Sequence, residues 1–236
     1  MQRLTSTRAV IAVAMGGLAL AFAVLPGCSG GDASPDAAAG AVPAEKVTVA
    51  GDSISVGIGV ALRDELDNEY DVKVIGDGGT GLARPDNFDW PARLAELARD
   101  FPPEVLVLSL GSNDAQDLTD GSGNVVALRR DEAEWEAEYR RRLEASVDPF
   151  AATGTQVVWV GHVRTEDEDV ADTNRQIHRI ATEVAAERDW MVSEDLAELT
   201  GSGDDETSDC LISDGLHLEL ECYQLAAEGI TARPPF

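Results

Sequence analysis

From Lys46 onward, short runs of β-branched and apolar residues alternate with helix-length segments, and this alternation leaves few folds open. Val47–Ala50, Asp71–Ile75, Val105–Leu110, Gln156–Val160 and a shorter run around Trp190–Val192 are too brief for stable helices and read as strands. Between and after them the pattern predicts helices over about 55–66, 91–100, 132–152, 170–188 and 219–229. Asp89 is positioned to cap the second of these, and Pro91 falls in its first turn, where a missing N–H costs little. Alternation of this kind means a parallel sheet with helices on both faces: an α/β fold, a three-layer α/β/α sandwich of about five strands. Val105–Leu110 is apolar throughout, as a central strand buried on both faces requires. Ligands of such sheets bind at the carboxyl ends of the strands. The residues that follow each strand are therefore the ones to weigh.

The segment before the domain has a different character. Arg3 and Arg8 precede an apolar, small-residue run from Ala9 to Leu25, and no acidic residue occurs before Asp32. That order is the charged and apolar sequence of an export leader. The alternative is an uncleaved anchor, since the run is at the short end of the roughly 17–25 residues that span a bilayer. Either way the domain, residues 45–236, is expected to be extracytoplasmic. The run ends in Leu25-Pro26-Gly27-Cys28, which resembles a bacterial lipoprotein lipobox. The resemblance implies a signal peptide over 1–27 and a lipid on Cys28, although Pro26 departs from the usual small or β-branched residue. An ordinary cleaved leader is the other reading. Residues 28–44, rich in Ala, Gly, Pro, Ser and Asp, read as a flexible tether.

The chain holds 44 acidic and 18 basic residues, a net charge of −26 that becomes −28 when Arg3 and Arg8 leave with the leader. Such an excess repels nucleic acid and anionic lipid, so neither is expected as a partner. Membrane contact is expected only through the anchor at Cys28, and the domain is expected to be a monomer. With Cys28 lipidated, Cys210 and Cys222 are left as a pair in an oxidising compartment, where a disulfide persists. Such a bridge would enclose Asp214 and His217. Two buried free thiols are the alternative.

Chemistry-bearing residues collect after the strands. Gly51-Asp52-Ser53 follows the first, the glycine-rich Gly76–Leu82 segment the second, and Gly111-Ser112-Asn113-Asp114 the third. Asp214-Gly215-Leu216-His217 precedes the last helix. A serine hydroxyl needs a base within hydrogen-bond reach to act as a nucleophile. His217 supplies a base that titrates near neutrality, and Asp214 lies close enough to orient the ring and offset its charge. Charge developing on a carbonyl oxygen needs fixed donors, which the Ser53 N–H, a glycine N–H from the second loop and the Asn113 amide would supply. No His/Cys cluster or His-Glu-x-x-His is present, so neither metal nor cofactor is expected.

These blocks resemble those of the SGNH (GDSL) hydrolase family: Gly51-Asp52-Ser53 as the first, a glycine as the second, Gly111-x-Asn113-Asp114 as the third and Asp214-x-x-His217 as the last. Any one is weak; four in order on the right strand ends are specific. The resemblance implies Ser53 as nucleophile, His217 and Asp214 as its catalytic partners, and an oxyanion hole from Ser53, Gly81 and Asn113. Gly79 is the second choice for the glycine. The segment Leu82–Trp90 resembles exported bacterial members, with Arg84 expected to line or brace the pocket; an ion pair with Asp86 or Asp89 is the other reading. His162, ending the fourth strand, is a candidate for the pocket rim or for a structural role. His178, within a polar helix, reads as solvated.

Gly76-x-Gly78-x-x-Gly81 also matches the dinucleotide fingerprint, but it follows the second strand and Pro85 interrupts any helix opening from it. The α/β-hydrolase elbow is absent, because Ser55 stands where its second glycine would be. The expected activity is that of an exported serine esterase removing O-acyl, chiefly O-acetyl, groups from cell-wall or other carbohydrate. A lysophospholipase or thioesterase, or an O-acetyltransferase, would use the same triad. A non-catalytic binding protein on the same fold is the reading of a different class.

Overall fold

The computed structural model describes residues 45–66, 70–161, 165–201 and 209–236. The leader, the tether with Cys28, and His162 lie outside them. Chain order is β1 (Glu45–Gly51), α1 (Ser53–Glu65), β2 (Tyr70–Gly76), α2 (Trp90–Asp100), β3 (Val105–Ser109), β4 (Leu118–Thr119), β5 (Val125–Ala127) and α3 (Glu132–Val147). Then follow β6 (Gln156–Val160), α4 (Glu168–Ala186), β7 (Met191–Glu194), α5 (Leu196–Leu199) and α6 (Leu220–Thr231). Five strands form one parallel sheet in the order β2-β1-β3-β6-β7, and β4 and β5 form a separate antiparallel pair.

β3 is central and buried along its whole length, because successive side chains serve two cores. Leu106 and Leu108 face a cluster built with Trp90, Trp135, Tyr139, Phe150 and Ile180 from the α2, α3 and α4 side. Val105 and Val107 face Ile58, Leu62, Leu196, Tyr223 and Ile230 from α1, α5 and α6. β6 repeats the alternation, with Val157 and Trp159 toward the first cluster and Val158 and Val160 toward the second. Hydrophobic burial on both faces fixes the register, since a one-residue slip would exchange the two sets. The sandwich expected from the sequence is the fold observed.

Boundaries moved where local chemistry decided them. α1 begins at Ser53 rather than near Ser55, because the Asp52 side chain caps it by accepting from the Ile54 N–H at 3.0 Å. α2 is capped as expected: Asp89 accepts from the Ala92 N–H at 3.0 Å. α3 stops at Val147 and passes into a 3-10 turn over Asp148–Phe150, since Pro149 has no N–H to continue the α pattern. The β4–β5 pair and α5 have no counterpart in the sequence pattern. His178 is half-buried, with Nε2 3.7 Å from Asp195 and Nδ1 buried, so it is not the solvated residue expected.

Candidate active site

The first turn of α1 is set by backbone that only glycine allows. Gly51 has φ of 139°, and a Cβ there would lie 1.8 Å from the Ser109 carbonyl oxygen. This close approach lets the Asp52 N–H donate to the Ser109 carbonyl at 3.1 Å, joining the ends of β1 and β3. Asp52 is wholly buried: Oδ1 caps α1 and Oδ2 accepts from the Ser112 hydroxyl at 2.7 Å. One carboxylate thus ties the first loop to the third. Ser53 follows as the first residue of the helix, its N–H among those at the positive end of the helix dipole.

His217 reaches Ser53 from a loop 164 residues further along the chain, with Nε2 2.7 Å from Oγ. On the other side of the ring, Nδ1 lies 2.7 Å from Asp214 Oδ2. The second carboxylate oxygen, Oδ1, accepts from the Leu216 and His217 N–H groups at 3.0 and 2.9 Å. These bonds hold the Asp214 carboxyl down to about 2; the His217 and Leu216 N–H donors are the leading causes and the imidazole follows. Cys210 and Cys222 form a disulfide on either side of this loop, and Leu211 and Leu218 bridge its base. The loop is cross-linked by covalent and backbone bonds together.

Asn113 projects from the third loop, with Nδ2 donating to the Thr80 carbonyl at 2.9 Å and to Ser112 Oγ at 3.1 Å. The amide therefore sits against the residue preceding Gly81. Gly81 is buried, and a Cβ there would come within 2.1 Å of Asp114 Oδ1. Gly79 has φ of 74°, and the Cβ position of Gly78 lies 3.7 Å from the Ser53 Cβ. Arg84 forms a two-pronged ion pair with Asp86, through Nε at 2.9 Å and Nη2 at 2.7 Å.

Two buried charged residues anchor this second loop, and the sequence pattern does not reveal either role. Asp114 accepts from the Leu82 and Ala83 N–H groups at 3.0 and 2.9 Å and from the Tyr139 hydroxyl at 2.8 Å. Burial pushes its carboxyl up against the pull of those donors, and burial beside Asp114 pushes the Tyr139 hydroxyl well up. Arg142, only 4% exposed, grips the same residues by their carbonyls: Nη1 donates to Leu82 and Ala83 at 2.8 and 3.0 Å, and Nη2 to Thr119 at 2.6 Å. Trp90 completes the support by donating Nε1–H to the Thr80 hydroxyl at 2.9 Å.

The model of the family described as "Protein of unknown function (DUF459)" matches residues 46–231. The chain belongs to this family. The match begins within β1 and ends at the last residue of α6, so this DUF459 member carries every loop described above inside the matched region. Among solved structures it is similar to TesA, with 22% identity and a TM-score of 0.54 over 80% of this chain and 97% of that one. A member of the lipolytic protein G-D-S-L family from Veillonella parvula is similar at 16% identity and a TM-score of 0.57, covering 80% and 97%. The C-terminal catalytic domain of Streptococcus pneumoniae peptidoglycan O-acetyltransferase A is similar at 13% identity and a TM-score of 0.56, covering 80% and 92%. The DUF459 chain thus has the SGNH hydrolase fold. No curated protein matches it by sequence.

Proposed function

We propose that this chain is an exported serine esterase that removes O-acyl groups, chiefly acetyl, from cell-wall or other carbohydrate. The observation that carries the reading is the unbroken Asp214–His217–Ser53 relay, with both contacts to the imidazole at 2.7 Å. In this mechanism Asp214 holds the proton on Nδ1, which leaves Nε2 free to accept. Ser53 Oγ attacks the ester carbonyl carbon as its proton passes to Nε2. The carbonyl oxygen becomes an oxyanion, received by the Ser53 N–H, the Gly81 N–H and the Asn113 amide. The 3.1 Å contact from Asn113 to Ser112 is the longer of its two, so it is the one the oxyanion would replace. Collapse breaks the bond to the sugar oxygen, which leaves with the proton from Nε2. Water repeats the sequence on the acyl-Ser53 ester and releases the acid.

Carbohydrate as the acyl carrier is supported by the leader-like N-terminus, which would place the domain at the cell surface with Cys28 as its anchor. The similar S. pneumoniae domain belongs to a protein whose name assigns it to peptidoglycan O-acetylation. The test is acetate release from O-acetylated peptidoglycan and acetylated xylan, beside hydrolysis of long-chain esters, for wild type and Ser53→Ala. Acetate release that Ser53→Ala abolishes is expected. Preference for long-chain esters would move the reading to a lipase or thioesterase, and acetyl transfer to added glycan to an acyltransferase.

A further inference from the structure

A groove of about 750 Å³ opens between the segment that follows Asn113 and the first turns of α4. It is continuous with the candidate site by chain and by contact. Ala115 in its wall is two residues from Asn113, and the Gln116 side chain donates to the Asn113 carbonyl. On the far side, Glu166, three residues before Asp169 of the groove, has Oε2 3.8 Å from where a Cβ would stand on Gly215 in the loop of the base.

Of the six charged side chains that line this groove, only Asp172 is ion-paired among the described residues, with Arg175, and Asp117 accepts from the Arg129 backbone N–H at 2.7 Å. Among the described residues every arginine except Arg63, Arg129 and Arg130 is ion-paired with a carboxylate. Arg63 donates to the Val72 carbonyl, whereas Arg129 and Arg130 both line the groove. In a chain with 44 acidic residues, two adjacent unpaired arginines run against the general pattern. Arg129 is also held in place: Nε donates to Thr173 at 3.1 Å, and the guanidinium lies 4.6 Å from the Trp135 ring centre. Its two terminal nitrogens have no acceptor among the described residues.

Acceptors without donors face the same space. Glu132 and Asp169 line the groove and form no ion pair among the described residues, although two arginines share it. Gln176, 7% exposed, also lines it; Nε2 donates to Glu136 at 3.1 Å while the buried Oε1 has no partner. Opposite charges in one groove that do not meet are spaced for something between them. A hydrocarbon chain would strand these groups without water, and a polyanion would meet Glu132 and Asp169. Hydroxyl groups donate and accept at once, and so satisfy both sets.

We propose that this groove is the glycan subsite, in which Arg129, Arg130, Glu132 and Asp169 bind the sugar hydroxyls of the ester's alcohol side. The assignment rests on the esterase reading above and names its substrate-binding surface. Kinetics on O-acetylated xylo-oligosaccharide and on p-nitrophenyl acetate test it, with Arg130→Ala and Asp169→Asn compared to wild type. Loss of one charged hydrogen bond predicts that the ratio of kcat/KM for the glycan ester to that for the aryl ester falls about tenfold, mainly through KM. A ratio unchanged in both variants would overturn the groove. Calorimetric titration of Ser53→Ala with xylohexaose and a peptidoglycan disaccharide separates the two readings. Binding that Arg130→Ala weakens keeps the groove even if no ester is hydrolysed, and no binding of either sugar rejects it.

Discussion

Replacing Arg142 by Met tests whether the second loop is held from α3. The aliphatic stem is kept, and the guanidinium with its bonds to Leu82, Ala83, Thr119 and Glu138 is removed. The Ala83 carbonyl retains the Thr119 N–H at 3.0 Å, and Glu138 retains Arg141 at 2.7 Å. The net loss is one donor each at Leu82 and Thr119 plus a buried charge contact, about 3 kcal/mol in all. For a domain of this size that is a fall in Tm of about 6–12 °C. Urea unfolding should show a lower midpoint at unchanged slope, and Arg142→Lys should recover little, because an ammonium cannot span carbonyls set for a fork. A loss below about 1 kcal/mol would refute the view that these bonds secure the loop.

Other outcomes follow from the same contacts. Asp214→Asn should lower kcat by a large factor, on the order of 10²–10⁴, with KM little changed, since an amide favours the wrong imidazole tautomer; a loss below tenfold would remove Asp214 from that role. Asp214 stays ionised above about pH 4 because its carboxyl is held down to about 2. Asp214 should therefore contribute no acid limb to kcat/KM above that pH, and a limb there that Asp214→Asn removes would contradict this. The bonds of Asp214 stabilise the fold above its ordinary value of about 3.9, and that contribution is lost as pH falls through about 2. Cys210 and Cys222 are separated by 12 residues, so replacing both by Ser should cost about 3 kcal/mol. Unfolding that does not change on this double substitution, or on reduction of the wild type, would contradict that estimate.

The sheet was legible because its signal is local. Val105–Ser109 and Gln156–Val160 are apolar runs whose burial on both faces needs no knowledge of their neighbours. The loops bearing Ser53 and Asn113 were legible for a related reason, because strand ends tell where the crevice lies, whereas His217 was legible from the carboxylate of Asp214 three residues before it. What stayed hidden depends on distance along the chain. Arg142 meets Leu82 from 60 residues away and Asp114 meets Leu82 from 32, and no spacing in the sequence marks either pair. The β4–β5 pair escaped because strands of two and three residues carry no periodicity. α1 starts about two residues before its apolar period does, because Asp52 of the Gly51-Asp52-Ser53 motif is also its cap.

Covalent labelling with a fluorophosphonate, read by mass spectrometry of the tryptic peptide, tests Ser53 as an activated nucleophile most directly. The reagent needs only a nucleophilic serine and its base, so it does not depend on knowing the ester. The folded wild type should gain a single adduct on Ser53, at a rate that His217→Ala lowers sharply, and Ser53→Ala should gain none. A folded wild type that stays unlabelled, or an adduct that persists in Ser53→Ala, would contradict the account.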